Sequence, residues 1–207
     1  MIRFIVRSIV CSLIVAAILG YMRRTDFSHV PSLHPTFLSS SLSSFSLNKV
    51  SAASAGTPGL HYSPDENVEH VDIKLIEESR GPLDIAAYSF TNQAFARAVL
   101  AAANRGQHVR IYRDYQQYTE EEAHGSYMSA LFRGNRNIEI RVKRSRDLMH
   151  LKAFSDGNFL RDGSANFSAS AKHQDNSVII TKDAAQIREY SQKFGEMWSR
   201  PGNIVIQ

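Results

Sequence analysis

The chain has 207 residues, 43% of them hydrophobic, which is an ordinary globular proportion and enough for one domain with a full core and an appendage. Its net charge of +4 resides in the first sixty residues: Arg3, Arg7, Arg23, Arg24 and Lys49 stand there against Asp26 alone, so nineteen basic and nineteen acidic residues remain beyond them and bulk charge gives no argument for a nucleic-acid partner. The one cysteine, Cys11, lies in the apolar leader, which excludes a disulfide framework or a cysteine metal site from the rest of the chain.

In chain order, residues 1–24 read as a signal peptide or an N-terminal membrane anchor. Arg3 and Arg7 form a basic start, and the apolar run from Ile9 to Gly20 is broken only by Ser12. Its length suits a signal-peptide core and falls short of the ~20 residues that span a bilayer. Arg23 and Arg24 suit an uncleaved anchor, while Ala53-Ser54-Ala55 offers a later cleavage site, reachable from a start at Met22. The expected location is secreted or periplasmic, or else tethered to a membrane through residues 1–24. Residues 25–60, rich in serine and carrying Pro31, Pro35 and Pro58, read as a linker or removed leader.

Residues 61–207 alternate helices with strands. The pattern predicts a helix over 66–79, a buried strand over 83–90, and a helix capped by Asn92 through Ala103. A strand over 108–113 and a helix over 120–132 follow, then strands over 138–142, 149–155, 159–161 and 177–181. A last helix capped by Asp183 runs to Trp198. This order is α/β: a layered mixed sheet with helices on both faces. Tyr190, Phe194 and Trp198 recur at helical spacing and are expected in the core. Arg141, Lys143, Arg144 and Arg146 run into the 149–155 strand, with Arg110 and Arg113 on another. They are expected on a wet face, either gathering a polyanion or simply solvated.

One constellation carries chemistry. In His150-Leu151-Lys152, two side chains two apart on a strand share a face, so an imidazole nucleophile lies beside a fixed ammonium. After Asp156 and a six-residue gap comes Gly163-Ser164-Ala165-Asn166, a turn whose hydroxyl and amide can hold a phosphate oxygen. A nucleophile, a cation for developing charge and polar groups that orient an anion are the parts needed to attack a phosphodiester without a metal.

This constellation resembles the His-x-Lys-x4-Asp-x6-Gly-Ser-x-Asn signature of the phospholipase D superfamily, above all its small bacterial endonucleases with one motif per chain. The likeness runs from His61 to Trp198 and is strongest at Tyr62-Ser63-Pro64, Ala87-Tyr88-Ser89-Phe90-Thr91, Asn104-Arg105-Gly106, Gly163 to Ser168 and Asp175-Asn176. One residue is missing: only Ala153, Phe154 and Ser155 separate Lys152 from Asp156. Either Asp156 projects differently or the Gly157 turn absorbs the change.

The resemblance implies a metal-independent phosphodiesterase with no cofactor. His150 would attack phosphorus, and His150 of a partner chain in a homodimer would protonate the leaving oxygen. Lys152, Ser164 and Asn166 would bind phosphate, and Asp175 would orient the imidazole, while Asp156 is a structural acid of the motif. The implied substrate is DNA or RNA. The alternatives are hydrolysis of phospholipids, which an apolar anchor suits equally well, and a catalytically weak module that binds nucleic acid or membrane.

Overall fold

A computed structural model describes residues 56–206 apart from 126, 127 and 146, with only the backbone given at Ser129. The expected leader, most of the serine-rich segment and Arg146 lie outside the described residues. Eight strands form one sheet: β1 (Gly59–Ser63), β2 (Leu83–Ala87), β3 (Val109–Asp114), β4 (Ile138–Lys143), β5 (Lys152–Ser155), β6 (Leu160–Gly163), β7 (Asn176–Thr181) and β8 (Ile204–Val205). Their order across the sheet is β1-β7-β6-β5-β2-β3-β4-β8. Strands β2, β3 and β4 run parallel and every other pairing is antiparallel.

The helices are α1 (Val68–Glu78), α2 (Gln93–Asn104), α3 (Tyr115–Ala123), α4 (Met128–Phe132) and α5 (Ala184–Trp198). Side chains alternate between two cores, as a pleated strand requires. Ile85 and Ala87 of β2 face the larger core with Val71, Leu75 and Ile76 of α1 and Phe95 and Val99 of α2. Ala86 between them faces the smaller core, where Tyr190, Phe194, Met197 and Trp198 of α5 lie against Tyr112, Ala153 and Leu160. The sheet thus has helices on both faces, and the three aromatics expected in the core are there.

Several boundaries differ from the expectation for local reasons. The helix expected over 120–132 is two helices. Asp114, at the end of β3, accepts hydrogen bonds from the Gln116 and Gln117 amides and starts α3 early. Gly125, with φ +77°, follows the end of that helix. Strand β2 ends at Ala87 and β5 opens only at Lys152, yet the Tyr88 amide donates to the Leu151 carbonyl at 3.0 Å and carries the pairing one step further. Strands β1 and β8 were not anticipated.

The basic residues are placed differently from their expected wet face. Helix α5 covers that side of β3 and β4. Arg141 stacks over Trp198 at 4.5 Å and donates to its carbonyl, and Arg110 lies over Phe194 at 5.0 Å while gripping Asp84 through two bonds of 2.7 Å. Arg113 is buried against the Ala87 carbonyl and Glu121, and the Lys143 ammonium holds the Asp147 carbonyl. Four of the six cations are therefore engaged within the fold, the three arginines lying over aromatic rings. Arg144 is exposed.

Candidate active site

The motif residues gather where the parallel strands end. Strands β2, β3 and β4 finish at Ala87, Asp114 and Lys143, and Lys152 is opposite Ala87 on the antiparallel β5. Strand β6 returns to the same edge at Gly163, and β7 departs from it at Asn176. The carboxyl ends of parallel strands are a common ligand position in layered α/β sheets.

His150 is exposed, and its imidazole makes no hydrogen bond among the described residues. Its ring neighbour is Tyr88, edge-on with centroids 4.4 Å apart. Lys152, 5% exposed, lies with its ammonium 4.8 Å above the same Tyr88 ring and donates to the His150 carbonyl at 2.6 Å. Burial first, and the neighbouring Arg161 charge second, hold the Lys152 ammonium below the ordinary lysine value. No carboxylate forms a salt bridge with Lys152 among the described residues. The Tyr88 phenol is pushed up by burial and by Asp114, Glu120 and Glu121, so it stays neutral beside this cation.

The approach to His150 is fastened from both sides. The Asp114 carboxylate, which also caps α3, accepts the Met149 amide at 2.9 Å, and Lys143 grips the Asp147 carbonyl at 2.6 Å. An exposed imidazole on a fixed backbone is accessible to substrate without being loosely held.

The Gly163-Ser164-Ala165-Asn166 turn is attached to its neighbours through backbone. A Cβ on Gly163 would meet the Ser177 carbonyl at 2.2 Å, so only glycine allows β7 so close. Ser164 donates its hydroxyl to Asn176 and accepts the Ser177 amide, both at 3.0 Å. Asn166 Oδ1 is buried with no hydrogen-bond partner among the described residues, which leaves this amide a spare polar group in the motif.

Asp175 is exposed and makes no hydrogen bond among the described residues, to His150 or to any other group. It lines an open cavity of about 500 Å³ with Tyr62, Asp65, Ser164 and Asn176. The site therefore has two neighbourhoods, His150 with Lys152 and Tyr88, and Ser164 with Asp175 and Asn176.

Asp156 has a structural position. Its carboxylate accepts the amides of Arg80 and Asn158, and a Cβ on Gly81 would lie 2.1 Å from its carbonyl oxygen. Asp156 leads directly into the hairpin between β5 and β6, where Gly157 has φ +87°.

Beneath the motif is a pair that the sequence reading missed. Arg161 is fully buried and grips Asp72 of α1 through two bonds of 2.7 Å. It also donates to the Lys152 carbonyl at 2.6 Å and the Ala165 carbonyl at 3.2 Å. Burial holds the Asp72 carboxyl above the ordinary carboxylate value, against the smaller opposing pull of the Arg161 charge and hydrogen bonds. A signal was available: Asp72 interrupts the apolar stripe of Val68, Val71, Leu75 and Ile76, a position where an acid needs a buried cation. Among the described residues no three His, Cys, Asp or Glu side chains group as a metal site, and no helix is long and apolar enough to cross a membrane.

Comparison with known proteins follows this geometry. A family model described as cardiolipin synthase, PLD-like domain, matches residues 73–198. The chain is 31% identical over 134 residues to the mitochondrial cardiolipin hydrolase of Danio rerio, covering 62% of this chain and 57% of that one. It is 30% identical over 119 residues to the protein of that name from Chlamydomonas reinhardtii, covering 56% and 51%. The chain thus spans little more than half the length of these relatives. Among solved structures it is similar in fold to the phospholipase D family member Nuc from Salmonella typhimurium, with a TM-score of 0.61 and 22% identity over 72% of this chain and 97% of that one. NucT from Helicobacter pylori gives 0.60 and 24%, over 69% and 95%. The motif where the parallel strands end and the family match agree: this chain belongs to the phospholipase D superfamily, its residues 73–198 forming a PLD-like domain.

Proposed function

We propose that this protein hydrolyses phosphodiesters without a metal, through a covalent phosphohistidine on His150, at a site shared by two copies of the chain. The observation that carries the reading is the pairing of an exposed imidazole with a buried ammonium, the imidazole making no hydrogen bond and the ammonium no salt bridge among the described residues. The neutral His150 attacks phosphorus and the leaving oxygen takes a proton from His150 of the second copy. Water then attacks the phosphohistidine, with the second imidazole as general base. Lys152 and Asn166 stabilise the added negative charge. Each chain carries one motif, so a two-fold axis through the site supplies the second imidazole. The exposed, cross-strand neighbours Leu60 and Ile179, together with Tyr62 and Leu151, provide apolar surface for such a contact.

For the substrate, the first reading is DNA or RNA. The cavity bordered by Ser164 and Asp175 and a second of about 470 Å³ bordered by Ser89, Gln117, Glu120 and His124 are open and lined mainly by residues that can hydrogen-bond, which suits sugars and bases. The second reading, a phospholipid, draws on a specific observation. A groove of about 400 Å³ lined by Leu151, Leu160, Ile179 and Tyr190 starts beside the motif, and Leu148 is 54% exposed. The relatives named cardiolipin hydrolase favour the same reading. Residues 1–24 as signal peptide or anchor and 25–60 as linker would export or tether the domain of residues 61–207.

Turnover of bis(p-nitrophenyl) phosphate in EDTA tests the chemistry: undiminished turnover is expected, and loss of it would contradict the metal-free reaction. Rates on single-stranded DNA, RNA, cardiolipin vesicles and phosphatidylcholine vesicles rank the substrates. Sedimentation should give a dimer, and an active monomer would remove the shared site.

A further inference from the structure

We infer that the buried Arg161–Asp72 pair is a positioning device that sets the separation between the two halves of the motif, the strand that carries Lys152 and the turn that carries Asn166. The inference rests on the phosphodiesterase reading above and adds two residues outside the motif.

Arg161 is on β6, between the two halves. Its guanidinium has one group for each neighbour: Nη1 donates to the Lys152 carbonyl at 2.6 Å, and Nη2 reaches the Ala165 carbonyl at 3.2 Å. The rest of the fork closes on Asp72, with Nε to Oδ1 and Nη2 to Oδ2, both 2.7 Å. The planar head also lies 4.8 Å over the Phe167 ring, one residue past Asn166. A guanidinium is rigid, so four bonds in one plane fix relative position in a way that single hydrogen bonds do not.

The local strand pairing explains why such a part is needed. Strands β5 and β6 pair at Phe154 with Arg161 and Ser155 with Leu160 only. Toward the motif the Arg161 side chain takes the place of a continued ladder, bonding the Lys152 carbonyl from the side. Asp72 anchors the fork to α1, whose Val68, Val71 and Ile76 belong to the main core. The separation of the motif halves is thereby referred to the main core.

A purely structural role would be a poor use of these residues. A buried ion pair replaced by apolar side chains of similar volume commonly leaves stability unchanged or higher. What such side chains cannot do is hold two carbonyls at a set distance. The Arg161 charge also bears on Lys152 directly, adding to burial in lowering the affinity of that amine for its proton.

The test is the double variant Arg161→Met/Asp72→Leu in the full chain, followed by circular dichroism and by turnover of bis(p-nitrophenyl) phosphate. The expected result is a folded dimer with kcat reduced by about 10- to 100-fold, the scale of a displacement near 1 Å in an active site, and KM changed much less. Arg161→Lys keeps the charge but not the fork. It should recover part of the rate, and the alkaline limb of its pH profile should stay near that of the parent. The double variant should move that limb upward. If the double variant does not fold, Arg161→Lys decides alone: a reduced kcat supports the inference and a parental kcat overturns it. A folded double variant with parental kcat and an unmoved alkaline limb overturns the inference while leaving the functional reading intact. A parent chain without turnover overturns both.

Discussion

The floor and the mouth of the site treat positive charge in opposite ways. In the floor, Arg161 is wholly enclosed and its charge is answered by Asp72 through two bonds of 2.7 Å. At the mouth, Lys152 is almost as enclosed, yet among the described residues its ammonium forms no salt bridge: it donates to a carbonyl and lies over the face of Tyr88, with the Asp162 charge acting from farther off. A cation already neutralised can organise structure but has little left for a phosphate. A cation held without a counter-ion costs stability and keeps its field for the anion that arrives. The same division accounts for Arg110, Arg113, Arg141 and Lys143, which look like a polyanion-gathering cluster in one dimension and prove to be bound up with Asp84, Glu121, Trp198 and Asp147.

The comparison breaks most sharply at the mouth. Lys152→Met should lower kcat by ~10² to 10³ while leaving thermal stability equal or higher, because it removes a buried charge without a counter-ion. A marked loss of stability, read by thermal melts, would mean that the ammonium is neutralised after all. In the floor the signs reverse. Asp72→Asn strands the Arg161 charge and should cost about 3–5 kcal/mol in denaturant unfolding. A cost near zero would show that the pair is not a closed unit.

The pH dependence sharpens the same contrast. The Lys152 ammonium is held below the ordinary lysine value in the fold, so between the folded and unfolded values the unfolded chain binds more protons. Stability from this group therefore rises as pH climbs through that window, while turnover falls once Lys152 loses its proton. An alkaline limb of the rate profile below the ordinary lysine range is expected, and one at that range would place Lys152 outside the charge-stabilising role.

Smaller effects concern the imidazole. Tyr88→Leu removes an edge contact worth about 0.5–1.5 kcal/mol, hence up to roughly a tenfold loss in kcat. Asp175→Asn should change turnover far less than the ~10² attached to a partner in proton transfer, since no hydrogen bond joins it to His150. A loss as large as that of a catalytic residue would put Asp175 back as the orienting acid.

How much of this was legible in the sequence depends on distance along the chain. His150 and Lys152 are two residues apart, and strand geometry alone predicts that they share a side; both now border Tyr88. Helices with long apolar stripes and clear caps, such as the one started by Asp183 and ending at Trp198, were readable for the same reason. The Arg161–Asp72 pair spans 89 residues, and no local pattern joins its members. Strand β8, two residues long, has no period to detect, and the fate of Arg110 and Arg141 on β3 and β4 depends on α5 folding over them. The break at Gly125 is visible in the sequence only as a glycine, and the polar run of Glu120 to Glu122 before it carries no apolar stripe that would separate α3 from α4.

The most direct measurement is a rapid-quench burst with bis(p-nitrophenyl) phosphate, the covalent adduct being mapped by mass spectrometry. A shared site with one attacking imidazole predicts a burst of one p-nitrophenolate for every two chains, with the adduct on His150 and none in His150→Asn. A burst of one per chain, or an adduct on any other residue, would contradict it.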